Sequence, residues 1–314
     1  MRIFRRFDAL PAAARGACVA IGNFDGLHQG HRAVLAAARE EAARLGAPLG
    51  VVTFEPHPRE VLAPETAPRR LAPFAHKAAL LRAAGVELCV ALPFDETLMR
   101  LSAEGFAEQI LHRRLGVQAV AAGQDFRFGH RRSGDLTLLT GLGTALGFSV
   151  RPVAPLEIGG RICSSTAIRG LLAGGDVAGA SALLGRPHTV EGRVRPGDQR
   201  GRTIGFPTAN VHPLAQRVML PAVGVYAVRA EAEGASVPWP AVANLGRRPT
   251  FDGKGVLLEV HLLEGRHELY GRRLRVQFLE RLRDERRFAD IAALTGQIER
   301  DCAAARRVHG LLTA

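Results

Sequence analysis

The segment GNFDGLHQGH, Gly22–His31, combines small and imidazole side chains in a pattern that suits phosphate chemistry. Three of its residues are glycines, whose missing side chains let a phosphate approach the backbone: Gly22, Gly26 and Gly30. His28 and His31 are three residues apart, so on the first turn of a helix they share one face. Two imidazoles there could hold polyphosphate oxygens and the charge that develops during phosphoryl transfer. The alternative is that both histidines only cap the helix.

A second segment, GRTIGFPTANV at Gly201–Val211, offers oxygen ligands. Thr208 has a hydroxyl and Asn210 an amide oxygen, hard donors that could hold Mg²⁺ together with ATP phosphates. Without that role, Thr208 would be a strand residue and Asn210 a turn former. The chain contains no GxxxxGK[ST] phosphate loop, so phosphate binding in this half depends on the Gly201–Val211 segment and its neighbours.

Two further segments of the first half fall where a ligand is expected. TFEPHPREVL, at Thr53–Leu62, follows a predicted strand, and its two prolines favour an extended turn that could also be a rigid loop without ligand contact. Three hydroxyl residues open a predicted helix, where they could cap free N–H groups: Ser164, Ser165 and Thr166. Arg169 follows one turn later.

Hydrophobic periodicity predicts an α/β fold for the first half and an antiparallel fold for the second. Apolar runs predict strands at residues 17–22, 48–54, 86–92, 117–123 and 148–154. Amphipathic runs between them predict helices, and hence a parallel sheet whose ligand site lies beyond the carboxyl ends of the strands.

The pattern of apolar residues changes after Gly185, near Pro187. Short apolar runs with frequent glycine and proline predict a small barrel or sandwich with strands at residues 188–194, 224–230, 237–246, 256–263 and 272–279. Residues 288–306 have helical periodicity and predict one closing helix. The expected domains are therefore residues 1–185 and 186–314, as two ordinary cores fit in 314 residues.

Composition narrows the class of protein. The net charge of +12 divides evenly, with 22 basic against 16 acidic residues up to Arg186 and 20 against 14 after it. Anionic small substrates explain this charge, and no aromatic residues interleave with a basic cluster, so nucleic acid is not an expected partner. No apolar stretch is long enough for a transmembrane helix or a secretory signal, which predicts a cytoplasmic protein without membrane contact. Four widely spaced cysteines are expected to be reduced.

Taken together, the motifs of the first half resemble a known family. GNFDGLHQGH is similar to the HxGH motif of nucleotidyltransferases. With TFEPHPREVL, GQDFRFGHRRSGD at Gly123–Asp135 and SSTAIRG at Ser164–Gly170, in that order, the chain resembles the bacterial bifunctional riboflavin kinases/FMN adenylyltransferases. The resemblance implies a Rossmann-like nucleotidyltransferase domain with a parallel sheet, followed by a small antiparallel β-barrel domain with a C-terminal helix.

The resemblance also implies roles for residues of the first half. Residues expected to bind nucleotide or phosphate are Gly22, Phe24, Asp25, Gly26, His28, His31, Ser164, Thr166 and Arg169, with His28 and His31 also catalytic. Residues of loops expected to hold the nucleotide or the flavin are His57, Pro58, Asp125, Phe126 and Arg127. Phe126 and Phe128 could equally be core residues. Ala167 stands where the family often has a second arginine.

In the second half the resemblance extends over GRVRPGDQRGR, Gly201–Val211, ANLGRRPTF at Ala243–Phe251 and ELYGRRLRVQFLERLRDERRF. It implies that Glu259 is the catalytic base, that Thr208 and Asn210 bind Mg²⁺, and that Gly205 and Pro207 contact the nucleotide. Glu259 could instead be an exposed strand residue. The chain departs from the family at two places, Pro196 and Leu263–Gly265, which concern details of the flavin site.

The implied reactions are phosphorylation of riboflavin by ATP to FMN, and adenylyl transfer from a second ATP to FMN, giving FAD and pyrophosphate. Two alternatives stay open from the residues alone. The transferase could use another acceptor, such as a nicotinamide or pantetheine phosphate, or the chain could hold a flavin without turning it over. The oligomeric state does not follow from the sequence.

Overall fold

The computed structural model describes residues 1–5, 10–197, 200–235, 237–248, 255–265 and 267–311. These residues form two compact units, Met1–Ser164 and Ser165–Ala314. The end of ANLGRRPTF and residues 198–199 of GRVRPGDQRGR lie outside the described residues. No helix in the described part of the chain is both long and apolar enough to cross a membrane.

The first unit is built on a parallel sheet. Its strands in the described residues are β1 (Arg2–Phe4), β2 (Cys18–Ile21), β3 (Leu49–Phe54), β4 (Leu88–Leu92), β5 (Ala119–Gly123) and β6 (Ser149–Val153). They are ordered β1-β4-β3-β2-β5-β6, with every neighbouring pair parallel. Two apolar clusters cover the two faces, which is why β2 and β4 are buried along their whole length.

Helices connect the strands of this unit. They are α1 (Gln29–Leu45), α2 (Pro58–Leu62), α3 (Phe74–Ala83), α4 (Glu96–Arg100), α5 (Ala103–Gly105), which continues as a π-helix over Phe106–Leu115, and α6 (Leu136–Leu146). Short 3₁₀ turns lie at Ala12–Ala14, Pro64–Thr66 and His130–Arg132, and β7 (Glu157–Ile158) pairs with β8 (Arg161–Ile162) as a hairpin. The predicted parallel α/β architecture is confirmed; β1 and the hairpin were not predicted.

The topology places three loops at one edge of the sheet. β2 lies between β3 and β5, and all three strands run in the same direction. The loop after β2 begins at Gly22, the loop after β3 at Glu55 and the loop after β5 at Gln124. The carboxyl ends of these three strands therefore lie at the edge where a parallel sheet binds its ligand.

The second unit begins with two helices and continues as a barrel. Its elements are α7 (Ser165–Ala173), α8 (Val177–Leu184), β9 (His188–Arg195), α9 (Arg200–Thr203), β10 (Ala209–Pro213), β11 (Gly224–Ala232), β12 (Trp239–Arg248), β13 (Gly255–Leu262), β14 (Arg273–Arg283) and α10 (Ile291–Val308). The strands of the described residues close in the order β10-β13-β12-β11-β14-β9, all antiparallel. Of the two predicted architectures, a barrel or a sandwich, the barrel is confirmed.

The closing helix packs on the barrel through an apolar cluster: Val225, Ala227, Val242, Leu263, Cys302 and Ala305. Beside this cluster, Arg283 Nη2 lies 2.7 Å from Asp301 Oδ2, and Asp301 is buried. The unit boundary after Ser164 leaves α7 and α8 with the barrel, and α8 packs on β14. The division of the two activities after residue 185 stays a prediction.

Candidate active sites

The Gly22–His31 loop joins β2 to α1 through a tight, strained turn. Phe24 and Leu27 have left-handed backbones, with φ of 50° and 41°, and Gly26 has φ of 81°. Such conformations are costly for residues other than glycine and tend to occur at functional sites. His28 precedes α1 as its N-cap, and its Nδ1 accepts the His31 backbone N–H at 3.2 Å.

The two histidines form one stacked pair. Their ring centroids are 3.6 Å apart and the ring planes differ by 19°. Because Nδ1 of His28 accepts a hydrogen bond, the ring proton lies on Nε2. His28 therefore caps the helix, and its phosphate role stays a prediction.

Burial, followed by the electrostatic interactions with His28 and with Lys77, lowers the pKa of His31 well below 6.5. The Nδ1 atom of His31 is buried and has no hydrogen-bond partner among the described residues. Protonation at this atom would place a buried N–H without an acceptor beside a second imidazole. His31 is therefore neutral near pH 7.

This lowered pKa predicts a pH-dependent stability. The unfolded chain takes up a proton at His31 near pH 6.5, whereas the folded chain does not, so the free energy of unfolding falls as the pH falls below about 6.5, by up to about 1.4 kcal/mol per pH unit for one group. The pKa values of His212 and His309 are lowered in the same direction. Thermal unfolding at pH 7.5, 6.5 and 5.5 should show a smaller loss for His31→Gln than for the wild type; equal losses would contradict the expectation.

Asp25 anchors this loop from within. It is 2% exposed, and its carboxylate accepts the backbone N–H groups of Leu71 at 3.1 Å and Ala72 at 3.0 Å. The ring of Phe24, also buried, lies 5.1 Å from that of His31. The structure thus buries the side chains of Asp25 and Phe24, and their predicted contact with the nucleotide stays a prediction.

Cys163 contacts the same loop, a contact that no sequence pattern predicted. Its Sγ accepts the Gly30 backbone N–H at 3.3 Å and lies 3.6 Å from His28 Nδ1. A Cβ at Gly30 would lie only 2.9 Å from the Cys163 carbonyl oxygen. Glycine is therefore required at position 30 for a close approach of two backbone segments.

The loops after β3 and β5 flank this site. His57 is the N-cap of α2: its Nδ1 accepts the Arg59 backbone N–H at 3.2 Å, and Pro58 occupies the first turn. After β5, Asp125 and Arg127 are exposed, whereas the ring of Phe126 stacks on the buried Phe128 at 5.6 Å. The flanking loops are thus at the predicted edge, and their contact with nucleotide or flavin stays a prediction.

The residues of SSTAIRG are divided between the units. Ser164 is the last residue of the first unit and immediately precedes α7, which begins at Ser165. Thr166 and Arg169 lie on α7 in the second unit, Thr166 exposed and Arg169 partly buried. Their predicted role in phosphate binding stays a prediction.

In the barrel, strand register aligns three polar side chains. Glu259 on β13 lies opposite Asn210 on β10 and, on its other side, opposite Asn244 on β12. Directly opposed residues of antiparallel strands share a face, so the three side chains are adjacent. Sequence reasoning singled out Asn210 and Glu259 and missed Asn244.

The neighbours of these residues along their strands are apolar and buried: Ala209, Val211, Ala243, Leu245, Leu258 and Val260. Because side chains alternate along a strand, Asn210, Glu259 and Asn244 point to the opposite face. Asn210 is itself buried, at 7% exposure, whereas Glu259 and Asn244 are partly buried. The three side chains thus form a polar row on the face opposite the buried apolar positions.

The donors predicted for Mg²⁺ sit in a close backbone cradle. A Cβ at Gly197 would overlap the Asn210 amide, whose Nδ2 is the nearest atom, and one at Gly201 would overlap the Phe206 carbonyl oxygen and lie 3.4 Å from Thr208 Oγ1. Any larger residue at position 197 would fill the space beside the amide. Mg²⁺ prefers a few protein oxygen ligands together with water and phosphate, so these two neutral oxygens fit that ion.

His261 fixes the turn that leads into β10. Its Nδ1 lies 2.9 Å from the Pro207 carbonyl oxygen, and its ring meets Phe206 edge to face at 5.4 Å. Gly205 has φ of 89°, a left-handed conformation that favours glycine. Gly205 and Pro207 are both exposed on this turn, and their nucleotide contacts stay predictions.

The departures from the family pattern have different surroundings. Leu263 is buried in the apolar cluster under α10, and its carbonyl oxygen lies 3.5 Å from Arg306 Nη2. Pro196 is exposed just after β9, and Ala167 lies partly buried on α7. Leu263 thus stabilises the contact between the barrel and its closing helix.

Comparison with known proteins agrees with the division into two kinds of fold. A family model for FAD synthetase matches residues 10–167, and one for riboflavin kinase matches residues 184–309. The chain is 47% identical to the bifunctional riboflavin kinase/FMN adenylyltransferase of Pseudomonas fluorescens over 98% of this chain and 97% of that one. It is 43% identical to that of Escherichia coli K12, over 99% of both chains.

Among solved structures, the chain is similar to a Streptococcus pneumoniae protein described as a macrolide-efflux protein. The TM-score is 0.87 at 30% sequence identity, covering 97% of this chain and 98% of that one. Together, the two family models and the nearly full-length relatives define an ATP-dependent transferase with two activities.

The chain belongs to the family of bifunctional riboflavin kinases/FMN adenylyltransferases. It phosphorylates riboflavin to FMN in its C-terminal domain and adenylylates FMN to FAD in its N-terminal domain. ATP is the co-substrate of both reactions.

Proposed function

We propose that the Gly22–His31 loop carries out adenylyl transfer. An FMN phosphate oxygen attacks the α-phosphorus of ATP, the bond to the β-phosphate bridging oxygen breaks, and pyrophosphate leaves. His28 and the neutral His31, whose ring centroids lie 3.6 Å apart, would donate hydrogen bonds to the phosphate oxygens as charge develops. Ser164, Thr166 and Arg169 are proposed to bind the ATP phosphates.

The kinase reaction is proposed to use the polar row of the barrel. Glu259 would accept the proton of the ribityl 5′-hydroxyl while that oxygen attacks the γ-phosphorus of ATP and ADP leaves. The single observation that supports this assignment best is the register, which sets Glu259 directly beside Asn210. Thr208 and Asn210 would hold Mg²⁺, which when bound neutralises charge on the ATP phosphates.

Product analysis tests both assignments together. Purified protein is incubated with ATP and Mg²⁺ and either riboflavin or FMN, and the flavins are separated by chromatography. FMN followed by FAD in the first reaction, and FAD in the second, are expected. Asn210→Ala should stop FMN formation but leave added FMN convertible to FAD; loss of both activities in a folded protein would refute two independent sites.

We further propose that the activities divide near residue 185 and that the protein works in the cytoplasm on small-molecule substrates. Supporting the location, ATP is abundant there, and all four cysteines are buried thiols without a disulfide. Nucleic acid is not a proposed partner; tight, steeply salt-dependent duplex binding would contradict this. No observation favours a nicotinamide or pantetheine acceptor, since the riboflavin kinase model matches residues 184–309.

A further inference from the structure

We propose that Lys77 is a positioning residue for adenylyl transfer, which holds the Gly22–His31 loop in its working conformation through the carbonyl oxygen of Asn23. The inference rests on the role proposed above for His28 and His31. Lys77 itself lies beneath the loop, on α3, and is 1% exposed.

The ammonium of Lys77 is fully engaged by the loops that form the site. Its Nζ donates to the Asn23 carbonyl oxygen and to Thr53 Oγ1, each at 3.2 Å. The Thr53 hydroxyl in turn donates to the same Asn23 carbonyl at 3.1 Å. Two buried donors thus converge on one carbonyl at the start of the strained turn.

The same stretch of chain also anchors the rest of the turn and the neighbouring loop. Leu71 and Ala72 bind Asp25 through their backbone N–H groups. Arg70 Nη2 contacts Glu55 Oε1 at 3.0 Å and Glu60 Oε2 at 2.6 Å, on the loop and helix after β3. Residues 70–77 therefore fix both the loop after β2 and the loop after β3.

Strain in the turn makes such anchoring necessary. Phe24, which directly follows Asn23, has φ of 50°, and a left-handed residue other than glycine persists only when its surroundings impose that conformation. Displacement of Asn23 would relax Phe24 and shift the His31 ring that packs on it. Transition-state stabilisation depends on donor positions to within a fraction of an ångström.

The residue type supports a specific requirement. Lys77 is one of only two lysines among 42 basic residues in the whole sequence. A lysine ammonium is compact and donates in three directions, whereas a guanidinium is planar and larger. The contacts at Asn23, Thr53 and Glu55, the last at 3.6 Å, match the compact group.

The charge of Lys77 also acts on His31. Four ionisable groups surround the ammonium: Glu55, Arg70, Asp25 and Cys89. Towards the site, it faces His31, whose pKa it lowers together with burial and His28. Without Lys77 one of the three causes that lower the pKa of His31 is lost, so the ring becomes protonated at a higher pH.

The test uses the full-length protein and four variants. Lys77→Met removes the ammonium and keeps the aliphatic stem, Thr53→Val removes one hydroxyl at nearly constant volume, Thr53→Ser restores that hydroxyl, and Arg82→Met is the control on the exposed face of α3. For each, kcat and KM of FAD formation from FMN are measured from pH 5 to 8, with riboflavin phosphorylation and thermal unfolding on the same preparation.

Lys77→Met should lower kcat for FAD formation by roughly 10- to 100-fold, since a shift in a site's geometry costs rate. KM for FMN and ATP should change by less than about threefold, because the loop still binds phosphate. The acid limb of its pH profile should move to higher pH. Thr53→Val should lower kcat by roughly fivefold, while Thr53→Ser, Arg82→Met and the kinase rate stay near wild type.

A purely structural lysine would give a different result. Fewer folded molecules scale the whole pH profile down without moving its acid limb, and that outcome would overturn the proposal, as would a wild-type kcat in folded Lys77→Met. If Lys77→Met does not fold, equal rates for Thr53→Val and Thr53→Ser overturn it instead. His31→Ala distinguishes failure of the proposed site from failure of the role of Lys77. Full FAD formation by His31→Ala refutes the proposed site itself. Loss of FAD formation in His31→Ala together with an unaffected Lys77→Met refutes only the role of Lys77.

Discussion

Glu259→Gln should lower riboflavin phosphorylation by about 10²- to 10⁴-fold, the range for loss of a general base, while conversion of added FMN to FAD continues at the wild-type rate. Glutamine keeps the size of the side chain and its place opposite Asn210, so the barrel register should be unchanged. What is lost is the carboxylate that we propose accepts the proton of the ribityl hydroxyl. The measurement is the initial rate of FMN formation with riboflavin, ATP and Mg²⁺.

A matched control is available on the next strand of the chain. Glu280 lies on β14 and is exposed, so Glu280→Gln removes the same charge from the barrel without touching the polar row. Its kinase rate should stay within about twofold of wild type, as for most surface substitutions. Equal rates for Glu259→Gln and the wild type would mean that Glu259 is only a strand residue, the alternative that the sequence left open.

The second large effect is expected at the other site. His31→Ala should lower FAD formation from FMN by about 10²- to 10³-fold, because a donor aimed at developing charge is removed from the transition state. The loss should appear mainly in kcat. Formation of FMN from riboflavin should be unchanged, since that reaction is assigned to the other domain. Initial rates with each flavin, on one protein preparation, check both statements.

His112→Ala is the control for this variant. His112 is exposed on the π-helix of the first unit, Phe106–Leu115, which is a separate element from the loop after β2. It should leave both rates unchanged. If His31→Ala retained FAD formation, the stacked pair would be a capping arrangement alone; if it lost both activities while folded, the sites would not be independent.

The architecture was largely predictable because burial leaves a strong pattern. β2 and β4 read as continuous apolar runs since both faces of the sheet are covered, and the glycine after α1, Gly46, has φ of 63°, as expected at a helix end. Two strands carry too little of this signal. β1 is three residues long and begins with an arginine, and β10 reads ANVHP, with a polar residue on each side of its central valine and proline at its end.

The candidate sites were predictable only where a motif is contiguous. His28, His31 and Asn210 lie in short, distinctive segments, so their types and spacing identify them. Lys77 and Asn244 belong to no local motif, because their contacts are with residues distant in sequence. Lys77 contacts Asn23, which is 54 residues away. Register and burial create these contacts, and a linear pattern does not contain them.

β10 is hydrogen-bonded to two strands of the barrel, β13 on one side and β9 on the other. Closure of the barrel hides every backbone donor and acceptor that an open edge would offer to another chain. Loosening β10 would free the facing edges of β9 and β13 and, in the same event, withdraw Asn210 from Glu259. If Asn210 acts as proposed, inactivation of the kinase and a tendency to self-associate through strand pairing would therefore arise together, since both follow from loss of the strand that carries Asn210.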